Sequence, residues 1–328
     1  METQDGVELC FPHLLNSSCR KPRFHWSETV FVNTVLSFIS LITAALNLLV
    51  ILSVSHFRQL HTPTNILLLS LAVSDFLVGL LSMPAELFRR YSCWVLGDTL
   101  CSVYIYVASI IVSSSIGNIV LISIDRYVAI CDPLHYPTKI SVSKAKVCVC
   151  LCWIISAFYR ILFVKDELIQ PGRSNSCTGE CAFSTNSIAG FFDIILNLIA
   201  PVSVIVVLYM RVFMVAVSQA RAMRSHITAV TVQLSKDITK KSELKAARTL
   251  GVLVIVFLIS YCPYYCYSLV QVNVTSTSYA SFLFFLFYFN SCLNPLIYAL
   301  FYPWFRKAIK HIVSLQILQP GSCEANIL

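Results

Sequence analysis

Seven stretches of the chain are apolar for long enough to cross a bilayer, at residues 30–54, 65–87, 100–124, 147–163, 188–210, 249–270 and 279–300. About 20 helical residues cover the roughly 30 Å hydrocarbon core, so each predicts a membrane-spanning helix. The polar connections are short except at residues 165–187 and 215–244. The second of these is rich in Arg, Lys, Ser and Thr and suits a cytoplasmic segment continuing from two helices. After the last span, Trp304 to Ile312 alternates apolar and basic residues at helical period, which predicts an amphipathic helix lying on the membrane surface. The pattern therefore gives an all-α membrane protein, a seven-transmembrane helix bundle followed by a short surface helix. Its parts are an extracellular N-terminal tail (1–29), the helix bundle (30–302), and the surface helix with a cytoplasmic tail (303–328).

Composition agrees, with 57% hydrophobic and only 12% charged residues, which excludes an ordinary soluble domain. Of the 24 Lys and Arg, sixteen fall on connections assigned to the cytoplasm and eight on the other side. That bias orients the N-terminus outside. The first span alone is ambiguous, since Arg20, Lys21 and Arg23 precede it and only Arg58 follows closely. The net charge of +8 lies on membrane-flanking loops, so it points to lipid headgroups and not to nucleic acid. The N-terminal tail has no short apolar run with a basic flank, so the first span is expected to serve as the insertion signal. Asn16-Ser17-Ser18 is a glycosylation sequon compatible with an extracellular tail.

One carboxylate, Asp193, sits inside the fifth span. Intramembrane acids are costly and usually face a bundle interior or a wet cavity. Asn197 projects from the same helical face, and Pro201 follows four residues on, where it can bend the helix. Asp193 is thus the expected anchor for a cationic ligand. The competing reading is an ion pair with Arg160 or Lys165 near the outer end of the fourth span, although those long side chains can snorkel outward. Glu86 and Arg89 read as a solvated pair at the rim. Tyr261, Tyr264 and Tyr265 on the sixth span, with Phe284 and Tyr288 on the seventh, offer cation–π faces, or simply pack the bundle.

Each span also carries a marker. In order they are Asn47, Asp75, Cys101 with Asp125-Arg126-Tyr127, Trp153, Pro201 with Tyr209, Pro263, and Asn294-Pro295-Leu296-Ile297-Tyr298. Together they resemble the rhodopsin-like G-protein-coupled receptors over nearly the whole chain. Tyr302-Pro303-Trp304-Phe305 after the last marker, and Cys131 to Pro137 after the third span, are similar to the trace amine-associated receptors. That resemblance implies a receptor for small amines at the plasma membrane, found in olfactory neurons and their cilia. It also implies a heterotrimeric, stimulatory G protein that raises cAMP. Asp125, Arg126, Tyr127, Tyr209, Asn294, Pro295 and Tyr298 would then carry G-protein activation. A sodium ion held by Asp75, Ser115, Asn290 and Asn294 is implied as well, beside the plainer reading of a hydrogen-bonded network. No other cofactor is expected.

The same resemblance pairs Cys101 with Cys181. For Cys177, both Cys19 and Cys10 in the tail are candidates in an oxidising exterior, and Cys93 is left over as a free thiol. Cys323 is either a palmitoylation site or a plain thiol. One departure from amine receptors stands out. The position eighteen residues before Arg126, where they carry an Asp, is Ala108, with Ser109 beside it and Val112 a turn below. Asp193 would replace that anchor, with the ligand's apolar tail toward Ala108 and Val112. Tyr261 stands where a Trp is usual. A receptor for a non-amine ligand, with Asp193 structural, is the alternative. An enzyme is not expected, since no nucleophile–base pair or metal motif appears and His25, His61, His135, His226 and His311 fall on tails or loops. A transporter would show an internal repeat or paired broken helices, and neither is present.

Overall fold

The computed structural model describes residues 8–21, 26–184, 187–225, 251–252, 254–267 and 277–327. The described residues are mostly helical, with no strand among them beyond two isolated bridges, Leu9 to Arg20 and Ser18 to Thr178. The first helix, α1, spans Trp26–His56. The second span is α2 (Pro63–Leu77), a π turn (Val78–Ser82) and α3 (Met83–Tyr91). The third is α4 (Asp98–Cys131), followed by the short α5 (Tyr136–Lys139), and the fourth is α6 (Val142–Ile169). The fifth is α7 (Ser187–Ile194), a π turn (Ile195–Ile199) and α8 (Ala200–Ser225). Within the sixth, an apolar helix covers Val254–Tyr267 and is here called α9. The seventh is α10 (Thr277–Phe301), and α11 (Pro303–Val313) follows. Among the described residues, six helices are long and apolar enough to cross a membrane, and α9 is a shorter apolar one. Residues 226–244 of the long basic loop, and 249–250, 253 and 268–270 of the predicted sixth span, lie outside the described residues.

Local chemistry sets the ends and the kinks. Thr62 caps α2 by accepting from the Asn65 N–H, with Pro63 at the first helical position, and Ser141 caps α6 through the Lys144 N–H. Both π turns sit just ahead of a proline, Pro84 in one case and Pro201 in the other. A proline lacks the N–H owed to the carbonyl four residues back, and a widened turn accommodates that gap. In the fifth span the turn contains Asn197, so it sets how this residue faces Asp193.

Close helix approach depends on two glycines. A Cβ at Gly79 would lie 2.7 Å from the Ala44 backbone nitrogen, where the Ser40 hydroxyl donates to the Gly79 carbonyl. A Cβ at Gly117 would lie 2.4 Å from the Cys152 sulfur. Trp153 donates to the Ser70 hydroxyl, docking α6 on α2. At one end of the bundle, α11 buries Trp304, Phe305 and Ala308 while Arg306, Lys307 and Lys310 stay exposed and His311 is half-buried against Phe57. This is the amphipathic helix expected from the sequence. Beyond it the tail returns to α1, with Ile327 fully buried and the Ser322 hydroxyl 2.9 Å from His56 Nε2.

The other end is closed by three disulfides: Cys101–Cys181, Cys19–Cys177 and Cys10–Cys93. The first two follow expectation, with Cys19 as the partner of Cys177. Cys93 is not a free thiol. The tail folds back on itself, with the Cys10 N–H donating to the Cys19 carbonyl, so both tail cysteines arrive together. The Trp94 N–H donates to the Gly179 carbonyl, which brings Cys93 to the same place. Cys93→Ser is therefore expected to expose one thiol, that of Cys10, and Cys10→Ser that of Cys93. Labelling intact cells with an impermeant maleimide, one variant at a time, checks this. Equal labelling of Cys19 or Cys177 in either variant would contradict the pairing.

Candidate functional site

Near the disulfide-bearing end, the helices enclose a cavity of about 670 Å³. Ala108, Ser109 and Val112 of α4, Asp193 of α7, Tyr264 and Tyr265 of α9, and Phe284 and Tyr288 of α10 line it. Asn197 and Tyr261 stand behind the wall. Asn197 is buried against Asp193, and Tyr261 packs on Phe257 and Phe287 with ring centroids 4.7 and 4.6 Å apart. The remaining wall was not anticipated as ligand-facing. It includes Glu86, Arg89, Tyr104, Arg160, Phe163, Phe183, Phe191 and Phe287.

Asp193 is held firmly. Its Oδ1 accepts from Arg160 Nη1 at 2.6 Å, Asn197 Nδ2 at 2.8 Å and the Tyr159 hydroxyl at 3.1 Å. Arg160 does not snorkel. It is buried, and its Nε donates to the Ser113 hydroxyl at 2.6 Å, which in turn reaches Asn197 Oδ1 at 3.2 Å. Helices α4, α6 and α7 and the π turn thus meet at one charged pair. All three donors fall on Oδ1, and Oδ2 receives no hydrogen bond from the described residues. The ion pair with Arg160 is the competing arrangement that the sequence offers for Asp193, and of the two candidate partners Arg160, not Lys165, makes it.

Glu86 also departs from expectation, being buried rather than solvated at the rim. Arg89 grips it with Nε to Oε2 at 2.9 Å and Nη2 to Oε1 at 2.7 Å. Arg90 Nε adds a bond to Oε1 at 2.6 Å, and the Tyr104 hydroxyl one to Oε2 at 3.1 Å. Arg89 Nη1 continues to the Cys181 carbonyl, tying the cluster to the disulfide cap. Both oxygens of Glu86 are therefore taken. Arg90 lies over the Phe284 ring, 3.6 Å from its centroid.

At the opposite end, Arg126 is bound to its neighbour Asp125 through Nε at 2.9 Å and Nη2 at 2.6 Å. Two unforeseen residues complete this lock. Thr64 donates to Asp125 Oδ2 at 2.8 Å and accepts from Arg126, and Tyr136 donates to Asp125 Oδ1 at 2.8 Å. Tyr127 is half-buried. Asp132, outside the membrane, is held down to about 2 by bonds from Lys139 and His135, which keeps the loop after α4 tied to α5 at neutral pH. Midway, Asp75 is fully buried and accepts from Ser115 at 3.3 Å, Ser291 at 2.7 Å and Asn294 at 2.6 Å. Asn290 and Tyr298 are buried nearby on α10, Pro295 lies within that helix, and Tyr209 packs against the core.

Residues 46–298 match the family described as 7 transmembrane receptor (rhodopsin family). The chain is 38% identical to trace amine-associated receptor 13c of Danio rerio, over 98% of this chain and 97% of that one. It is likewise 38% identical to trace amine-associated receptor 8a of Rattus norvegicus, over 98% and 96%. Identity to trace amine-associated receptor 7e of Mus musculus is 37%, over 98% and 92%.

The chain belongs to the trace amine-associated receptor family. It is a multi-pass membrane receptor, not an enzyme. The family implies a small-molecule ligand and a G-protein partner. In this receptor the cavity beneath the disulfides and the Asp125–Arg126 lock lie at opposite ends of α4, joined by one continuous helix.

Proposed function

We propose that this receptor detects small protonated amines, with the ammonium against Asp193 Oδ2 and the apolar part toward Ala108, Val112 and the aromatic rings of α9 and α10. One observation carries this reading. Of the two carboxylates lining the cavity, Glu86 has both oxygens bonded and Asp193 keeps one open. The names of the relatives, all trace amine-associated receptors, support the amine class. The disulfide-bearing end faces outside, as an oxidising exterior requires, and the receptor sits in the plasma membrane, including that of olfactory cilia. Asn16 is exposed on the tail and is its proposed glycosylation site. Agonist binding releases Arg126 from Asp125 and Thr64, engages a stimulatory G protein and raises cAMP.

Arg160 limits how much Asp193 can do for an ammonium. A cation about 4 Å from a carboxylate gains on the order of 4 kcal/mol at an effective dielectric of 20, but a guanidinium about 6 Å away costs roughly 3 kcal/mol. Cation–π contact and apolar burial must then contribute much of the affinity. The same pairing favours a second reading, in which Asp193 serves only to neutralise Arg160 and the ligand is not an amine.

We also propose that Asp75 holds a sodium ion. Hard cations take oxygen ligands. The Asp75 carboxylate lies among the Ser115 and Ser291 hydroxyls, and Asn47 Oδ1 is buried without a hydrogen-bond partner. Asn47 is adjacent, since its Nδ2 donates to the Ser291 carbonyl. These residues fit a cation, with Asn290 and Asn294 closing the site. Asn294 Nδ2 would have to turn away for its oxygen to serve.

Two outcomes are expected. Asp193→Asn should weaken the cAMP response to every amine agonist by about tenfold or more. So should the double variant Asp193→Asn with Arg160→Gln, which leaves no unpaired buried guanidinium. Dose–response curves at matched surface expression check this, and undiminished potency in the double variant would place the ammonium elsewhere. For the ion, agonist affinity should fall as sodium is raised, because sodium favours the inactive state. Asp75→Asn should abolish that dependence, and equal sodium sensitivity in both proteins would rule the site out.

A further inference from the structure

The amine reading leaves half of the central ion pair unused. Arg160 is buried and lines the cavity. Its Nε is bonded to Ser113 and its Nη1 to Asp193, but Nη2 makes no hydrogen bond among the described residues. Asp193 Oδ2 is open in the same way. The pair therefore presents an unfilled donor beside an unfilled acceptor, on one wall of one cavity. Nη2 belongs to a guanidinium that lines the cavity, and an anion is the partner that suits such a donor best.

The charges that line the cavity are already balanced, Arg89 with Glu86 and Arg160 with Asp193. Arg90 also bonds Glu86 but is not part of this wall. A simple ammonium would add a net positive charge to a low-dielectric enclosure. A ligand with an anion next to its ammonium adds none.

Resting on the assignment of Asp193 to the ammonium, we infer that the preferred ligands are zwitterions of the amino-acid type. The ammonium meets Asp193 Oδ2, a carboxylate one or two carbons away meets Arg160 Nη2, and the apolar side chain lies toward Ala108 and Phe287. Arg160 is then a specificity-determining residue, not merely a counter-charge.

The test uses the full-length receptor in cells and two matched sets: phenylalanine with phenethylamine, and leucine with isopentylamine. Each set adds the amino-acid methyl ester, which keeps the ammonium and removes the anion, and the deaminated acid. In at least one set the amino acid is expected to exceed its amine by about tenfold in potency, the factor one charge-assisted hydrogen bond supplies. The ester should fall to the level of the amine, a comparison needing no variant. Arg160→Gln should erase the amino acid's advantage, read as the ratio of amino-acid to amine potency in the same variant at matched surface expression. If the amines match or better the amino acids in both sets, the inference is overturned while the amine assignment stands. If the deaminated acids match the amino acids, or neither amines nor amino acids act, the ammonium assignment falls with it. An advantage that survives Arg160→Gln would also overturn the role given to Arg160.

Discussion

A charge inside a lipid-embedded bundle must find its partner within the protein, and this constraint organises the receptor. Lipid offers no hydrogen bonds, and an uncompensated buried charge costs several kcal/mol. Asp193 is met by Arg160, Glu86 by Arg89 and Arg90, and Asp125 by Arg126. Each cluster joins elements that the chain separates. The Asp193 cluster draws α4, α6 and α7 together through Ser113, Tyr159 and Asn197, so the cavity wall is defined by the same bonds that neutralise the charge.

The two ends of the cavity consequently differ. At α3, Glu86 is saturated by four donors and linked through Arg89 to the carbonyl of Cys181, so that end is fixed to the disulfide cap. Where α6 meets α7, Asp193 Oδ2 and Arg160 Nη2 make no hydrogen bond among the described residues. The first arrangement holds the cavity's shape, and the second can exchange partners with a ligand. Arg160 bonds Ser113 of α4, and α4 carries Asp125 and Arg126 at its far end, so the charged pair and the lock share one helix.

Much of this was legible in the sequence, for identifiable reasons. The spans were readable because a run of about 20 apolar residues has few other uses, and α11 because its basic residues fall on one face. Asp193 announced itself as a carboxylate in an apolar run. Its partner is only half legible, since the sequence offers Arg160 or Lys165 but an arginine near the outer end of a span can snorkel outward or turn inward, and only the packing of α6 against α4 decides. The burial of Glu86 is hidden for the same reason. The pairing of Cys93 with Cys10 has no sequence signal, because the tail's return from Cys10 to Cys19 depends on backbone bonds that leave no pattern. Thr64 and Tyr136, which complete the lock at Arg126, are ordinary residues whose role comes only from the approach of α2 and α5 to the end of α4.

The central claim is that Asp193 and Arg160 are one buried unit, each required by the other. Thermal unfolding of the ligand-free, detergent-solubilised receptor tests it through a double-mutant cycle. Asp193→Asn and Arg160→Gln should each lower the melting temperature, since each strands one charge, with a penalty of about 3–5 kcal/mol for a broken buried pair. The double variant should recover most of the loss. If each single variant melts like the wild type and the effects simply add, the two residues are not coupled, and the account of the cavity built on them is wrong.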